Sequence, residues 1–385
     1  MAPLARRLHG LGTTIFAEMT ALAVETGSVN LGQGFPDTDG PVEVLEAAVE
    51  AIRSGVNQYP PGPGTAELRH AVAEHQLRCY GLSWDPDTEV LVTTGATEAI
   101  AAAMLALVEP GDEVVALEPF YDSYGASVAM AGGVLVPVTL RPPSYALDVD
   151  ALRAAVTPRT RLILLNSPHN PTGAVLSPEE VAAVAAVAVE HDLLVVSDEV
   201  YEHMVYDGRA HVPPATLEGM RERTVSVSSA GKTFSVTGWK VGWVTGPAEL
   251  VTAVRTAKQF LTYTSGAPFQ PAVAAGLRLG QPPLDALRDS LQGKRDLLCA
   301  GLRDLGLEVF TPAGTYFVTT DIRPLGFDDG VEFCRALPRR YGVVAIPSAV
   351  FYADSERGRH LVRWAFCKRD DTLALALEKL APLRT

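Results

Sequence analysis

Lysine is scarce in this 385-residue chain: six of its 32 basic residues are lysine, and the first of them, Lys232, stands past the midpoint, followed by Lys240. Net charge is −13. That excludes a general surface for nucleic acid or anionic membrane. Cysteine is rarer still. Cys79, Cys299, Cys334 and Cys367 form no CxxC pair, so neither a disulfide framework nor a zinc site is expected. Reduced thiols in a cytoplasmic protein are the expectation. Long apolar runs are missing too. The runs near residues 100–108 and 181–189 reach only about half of the ~20 residues that cross a bilayer. Arg6 and Arg7 precede no apolar core, so no secretory signal is expected.

What is present is an ordinary globular mixture, 47% hydrophobic and 20% charged. The length suits two or three domains. Strand-like and helix-like segments alternate. Residues 89–94, 113–118, 161–166, 193–198, 224–228 and 241–245 read as strands. Residues 42–54, a stretch from Thr65, and 97–108 read as helices. Ser177-Pro178-Glu179-Glu180 announces another, as a capping box with proline at the first helical position. The strands 161–166 and 193–198 are nearly all apolar, as parallel strands covered on both faces are. The expected fold class is α/β, with a large, mostly parallel sheet. After about residue 285 the pattern changes to a smaller α+β region: a helix over 284–305, strands at 315–320, 343–346 and 361–365, and a helix over 331–340.

Gly231-Lys232-Thr233 invites a phosphate-loop reading, but that motif needs a glycine where Ser226 stands. No GxGxxG follows a strand and no GxSxG is present, which removes a dinucleotide fingerprint and a nucleophile elbow. Lys232 itself sits just past a strand. A surface lysine is the plain alternative to one that forms a Schiff base in a pocket. Ser229 and Lys240 nearby suit an anion such as phosphate. The loop Ser167–Gly173 is turn-rich, yet it follows a buried parallel strand, where open α/β sheets place ligands. Asp198 ends another such strand, either as a cap or facing a cation. Gly95-Ala96-Thr97 opens a helix, whose N-terminus attracts anions. Tyr121 is either core or a stacking face. Arg363 lies inside an apolar strand and needs a partner: a structural carboxylate or a substrate carboxylate.

Together, in order, these segments resemble the class I aminotransferases that use pyridoxal 5′-phosphate, with the type I transferase fold. The resemblance runs from Asn30–Asp37 through Asn57–Tyr59, Asn166–Gly173, Ser197–Tyr201 and Ser229–Lys232 to Arg363. It is finest toward the kynurenine, glutamine and methionine aminotransferases and toward actinobacterial N-succinyldiaminopimelate aminotransferases. It implies an N-terminal arm over 1–40, a large cofactor-binding domain over 41–285 and a small domain over 286–385. It implies that Lys232 holds the cofactor and carries the α-proton. Asp198 would pair with the ring nitrogen. Asn170 and Tyr201 would bond the ring oxygen. Ala96, Thr97, Ser229 and Lys240 would hold the phosphate, and Tyr121 would stack on the ring. Arg363, with Asn170 and the Gly34 backbone, would grip the substrate carboxylate. Phe16 and Tyr59 would line the side-chain pocket, Tyr59 from the second subunit of a homodimer.

The implied activity is ping-pong transfer of an amino group from an amino acid to a 2-oxo acid such as 2-oxoglutarate, within lysine biosynthesis for the succinylated substrate. Broader glutamine, methionine or kynurenine specificity is one alternative and β-elimination at sulfur is another. A gene regulator built on the same fold is a remote third, since a DNA-binding extension and basic charge are not seen. Small residues at Ser265 and Ala96, where the aromatic-specific relatives carry rings, imply a roomier pocket.

Overall fold

The computed structural model describes residues 5–9 and 15–384. Part of the expected arm, and of the stretch read for a signal, lies outside the described residues. Seven strands form the large sheet: β1 (Val90–Thr93), β2 (Glu113–Glu118), β3 (Val134–Thr139), β4 (Thr160–Asn166), β5 (Leu194–Asp198), β6 (Thr224–Ser229) and β7 (Gly242–Thr245). Their order is β1-β7-β6-β5-β4-β2-β3. All neighbours are parallel except that β7 runs antiparallel to both β1 and β6. The central strands are buried almost end to end, which is why they read as continuous apolar runs.

One strand of the large sheet was not legible. β3 follows Gly132-Gly133 and contains Pro137, which breaks the usual strand pattern. It is the sheet edge, pairing only with β2. A proline there leaves no ladder bond unmade on the open side.

The second sheet is antiparallel. Its strands are β8 (Glu308–Phe310), β9 (Phe317–Asp321), β10 (Ile346–Pro347) and β11 (Leu361–Ala365), in the order β10-β11-β9-β8. The single strand expected over 343–346 is divided. Val343–Val344 pairs in parallel with Val29–Asn30, while Ile346–Pro347 joins β11. This ties the N-terminal segment to the C-terminal region. The helix expected from Leu284 starts earlier, at Gln281, because Pro282 and Pro283 occupy the first turn, where no intrahelical N–H is required.

The Ala-rich helix Gly95–Leu107 packs against the sheet and against helix Ala248–Lys258. Its first residue, Gly95, has a φ of +75°, open to glycine at no steric cost. Gly242 lies directly beneath: a Cβ there would stand 2.8 Å from the Gly95 carbonyl carbon. Two glycines thus let the helix start rest on β7. The parallel register pairs Asn166 with Asp198, setting two polar side chains next to each other at the carboxyl ends of β4 and β5. Among the described residues no helix is long and apolar enough to cross a membrane.

Candidate active site

Where the parallel strands end, the large sheet, the small sheet and the N-terminal segment enclose a cavity of about 510 Å³. Strand ends and the turns behind them supply most of its wall. β2 leads to Tyr121, β4 to Asn166 and Asn170, β5 to Asp198 and Tyr201, and β6 to Ser229 and Lys232. Ala96 and Thr97 come from the helix start and Lys240 from the turn before β7. Arg363 comes from β11, and Phe16 and Gly34 from the N-terminal segment. Twelve of the thirteen expected site residues therefore share one cavity. The thirteenth, Tyr59, is 84% exposed and lies edge-on to Tyr263 on the outer surface.

Lys232 occupies the four-residue helix Ala230–Thr233, directly after β6. Its Nζ donates to the Tyr316 hydroxyl at 2.6 Å, and that hydroxyl donates to the Gly34 carbonyl. Burial pulls the ammonium down to about 8. Cys367 and Asp198 oppose the shift, while Lys240 and Arg363 add to it. A lysine so placed is neutral in part near neutrality, which a nucleophilic or proton-carrying amine requires.

Asp198 is fully enclosed and has no cation within ion-pair distance among the described residues. Burial pushes its carboxyl up to about 6. The Tyr124 hydroxyl, donating at 2.6 Å to Oδ2, and the Val200 N–H at 3.2 Å to Oδ1 hold it from rising further. Such a group is poised to meet a positively charged nitrogen.

An anion corner lies at the helix start. Thr94, the cap residue, makes no side-chain bond to the helix N–H groups. Lys240 brings its amine beside Gly95, 3.3 Å from where a Cβ would stand. Thr97 and Ser229 add hydroxyls at the cavity wall. Free N–H groups, a helix dipole and an ammonium converge on one point.

Arg363 is 2% exposed, and no carboxylate lies within ion-pair distance among the described residues. The structural-carboxylate alternative is thereby removed. Its Nη1 donates to Asn170 Oδ1 at 3.1 Å and its Nη2 to the Gly32 carbonyl at 3.0 Å, while Nε has no partner. Phe317 and Phe351 stack on the guanidinium at 4.0 and 4.8 Å, and Phe16 lies 5.2 Å away. Burial lowers its pKa to about 10. The charge stays, and a planar anion would complete it.

Two cavity partners went unread in the sequence. Tyr124 carried no signal beyond its nearness to Tyr121. Tyr316 is buried beside Phe317 and reads as core. Ser265, expected to widen the pocket, does not line this cavity. It is buried, and its carbonyl accepts from Gln270. Ala96 alone of that pair faces the space.

An amine, a lone guanidinium and an anion corner thus surround one cavity of an α/β chain. Residues 26–379 match the family of class I and II aminotransferases. A Mycobacterium tuberculosis protein named "Probable N-succinyldiaminopimelate aminotransferase DapC" is 58% identical over 98% of both chains. The solved structure of N-succinyldiaminopimelate aminotransferase from that organism superposes with a TM-score of 0.97 over 99% of this chain and 100% of that one. The methionine aminotransferase of Escherichia coli K12 is 42% identical over 98% of this chain and 97% of its own. The chain belongs to the class I and II aminotransferases, and it is an aminotransferase.

Proposed function

We propose that this aminotransferase binds pyridoxal 5′-phosphate, takes its amino group from N-succinyl-diaminopimelate and passes it to 2-oxoglutarate, acting as a homodimer. The donor rests on one observation: 58% identity, end to end, to the mycobacterial protein of that name. The cofactor rests on unmet needs in the cavity: an uncapped helix start beside Lys240, and a buried Asp198 without a cation. These needs match a phosphate and a protonated ring nitrogen.

When bound, pyridoxal phosphate supplies the electron sink that makes the α C–H of an amino acid acidic. The chain supplies the rest. Arg363 grips the α-carboxylate of donor and acceptor alike. Asn170 fixes the guanidinium plane through its Oδ1. Tyr316 fixes the Lys232 amine, which takes up and returns the proton at the substrate α-carbon. Asp198 keeps a negative charge where a ring nitrogen is protonated, and Tyr124 keeps Asp198 ionised. Tyr201 lies edge-on to Tyr316, 5.2 Å between ring centres, and with Asn170 would bond the ring oxygen. Tyr121 offers its face for stacking. Tyr59, exposed with Phe260 and Tyr263, suits a second copy's cavity better than its own.

The deciding experiment is a panel of amino donors against 2-oxoglutarate: N-succinyl-diaminopimelate, methionine, glutamine and kynurenine. The succinylated donor should give the highest kcat/KM. A higher value for methionine or kynurenine rejects this donor and leaves the aminotransferase class intact. Retention of activity without 2-oxo acid would instead mark β-elimination.

A further inference from the structure

Behind the wall that carries Asp198 and Tyr201 lies a second polar cluster, apart from the cavity. His75, on the helix Ala66–Tyr80, is fully buried. Glu202 and His203 follow Tyr201 on the turn after β5. One donor atom from each of the three lies within 4.8 Å of the other two. The imidazoles meet at 86° with their Nε2 atoms 2.9 Å apart.

We propose that His75, His203 and Glu202 form a binding site for a divalent transition-metal ion of the zinc, cobalt or nickel class, with water in the fourth position. Three observations carry this. The first is unmet bonding. Glu202 Oε2 is buried without a hydrogen-bond partner. Ser228 donates to the other Glu202 oxygen, which turns Oε2 toward the imidazoles as an outer-shell donor would. The second is geometry. That Oε2 lies 4.0 Å from His203 Nε2, and the Nε2 atoms of the two rings face each other.

The third is ligand type. Two imidazoles and one carboxylate suit zinc, cobalt and nickel rather than the oxygen-seeking calcium and magnesium. Without an ion, one imidazole donates to the other. With one, the donating ring carries its proton on Nδ1 instead, and the Nε2 atoms open to roughly 3.3 Å, as two ~2.0–2.1 Å arms at a tetrahedral angle demand. The movement is a few tenths of an ångström. His203, 9% exposed in its side chain, gives the way in. The absence of CxxC pairs, which argued against zinc in the sequence, bears on thiolate sites and not on this one. A bound ion would clamp the helix Ala66–Tyr80 to the segment that carries Asp198 and Tyr201.

The test uses tag-free holoenzyme stripped with chelator, then given Zn²⁺ or Co²⁺ alone. Metal retained after gel filtration is measured by mass spectrometry, and binding by calorimetry. One equivalent per chain is expected, with a melting point raised by about 3 °C at a hundredfold excess over the dissociation constant. His203→Gln and Glu202→Gln should each weaken binding at least tenfold. The visible cofactor band reports that each variant is folded. If Glu202→Gln does not fold, His203→Gln decides alone, because its ring reaches solvent. Less than a tenth of an equivalent in the wild type overturns the site. So does equal binding by His203→Gln, or a cobalt spectrum with thiolate charge-transfer bands, which would move the ion to a cysteine such as Cys79.

Discussion

Two buried arginines divide the molecule. Arg295, 3% exposed, lies in the long helix Gln281–Asp304 and is saturated. Its Nη atoms reach Asp207 at 2.6 and 2.9 Å, Nη1 also meets the Pro312 carbonyl, and Asp296 takes Nε at 2.8 Å. The Asp207 bonds raise its pKa further. Arg363, 2% exposed, has two neutral acceptors, an unpartnered Nε and a lowered pKa. Equal burial gives opposite electrostatics. The first guanidinium is matched by its own chain and holds a helix in place. The second is left incomplete, in a ring of phenylalanines, so that a ligand can complete it. Lys258 and Lys232 repeat the contrast. Lys258 is capped by two carbonyls, of Gly62 and Tyr263, while Lys232 meets one phenol. Among these four buried cations, the two at the cavity are left unfinished and the two in the frame are satisfied.

The contrast breaks most sharply at Lys232. Lys232→Ala removes the amine while leaving the frame untouched. Transamination should fall by at least ~10⁴-fold, as loss of both covalent and acid–base roles implies. The visible cofactor band should vanish, and the melting point should hold. A yellow, active variant would reject the assignment.

The arginine pair is the next test, since the two changes should separate activity from stability. Arg363→Ala should lower kcat/KM by about 10²–10³-fold for amino acid and 2-oxo acid alike, because both present an α-carboxylate. Its melting point should stay level or rise, an unpaired buried charge having been removed. Arg295→Ala should do the reverse. It should cost about 2 kcal/mol of stability, less than a wholly buried pair would because Asp207 is half exposed, and leave kcat/KM within about twofold. Denaturant melts and steady-state kinetics on both variants decide. Equal stability loss in the two would end the distinction drawn here.

The same contrast explains how far the sequence could be read. The central strands were plain because burial on both faces leaves almost unbroken apolar runs. The helix from Pro178 was plain because its capping box is local: Ser177 accepts from the Glu180 N–H, and the Glu180 side chain accepts from the Ser177 N–H. β3 was not, since edge position rather than local chemistry makes Pro137 tolerable. The division of 343–346 was hidden as well, because partners far along the chain decide it. In the site, a place in one cavity was legible for twelve of the thirteen expected residues, while Tyr59 lies on the outer surface despite its motif. Tyr124 and Tyr316 were not legible, because a phenol that bonds Asp198 or Lys232 through space has no spacing to betray it. Ser265 lies outside this chain's own cavity, two residues past the exposed Tyr263.

Tyr124 gives the smallest effect and the finest test. Its hydroxyl donates to the ionised Asp198 carboxylate and so opposes burial, which alone drives the pKa upward. Tyr124→Phe removes that donor and leaves the ring packed. The Asp198 pKa should rise above its value of about 6 by about one unit. The proposed role of Asp198 needs the carboxylate charged, so the acid limb of kcat/KM against pH should move upward by that amount. Rates on the alkaline side should stay within about threefold of wild type. Stability of the cofactor-free protein carries the same sign. A carboxyl with a raised folded pKa is harmless below its unfolded value near 4 and destabilises progressively as pH climbs through its folded value. The variant should therefore melt close to wild type at pH 4.5 and below it at pH 8, by about 1 kcal/mol. An acid limb that stays in place would show that Asp198 is held ionised by something other than Tyr124. The unfinished bonding of the cavity would then need another account at that residue.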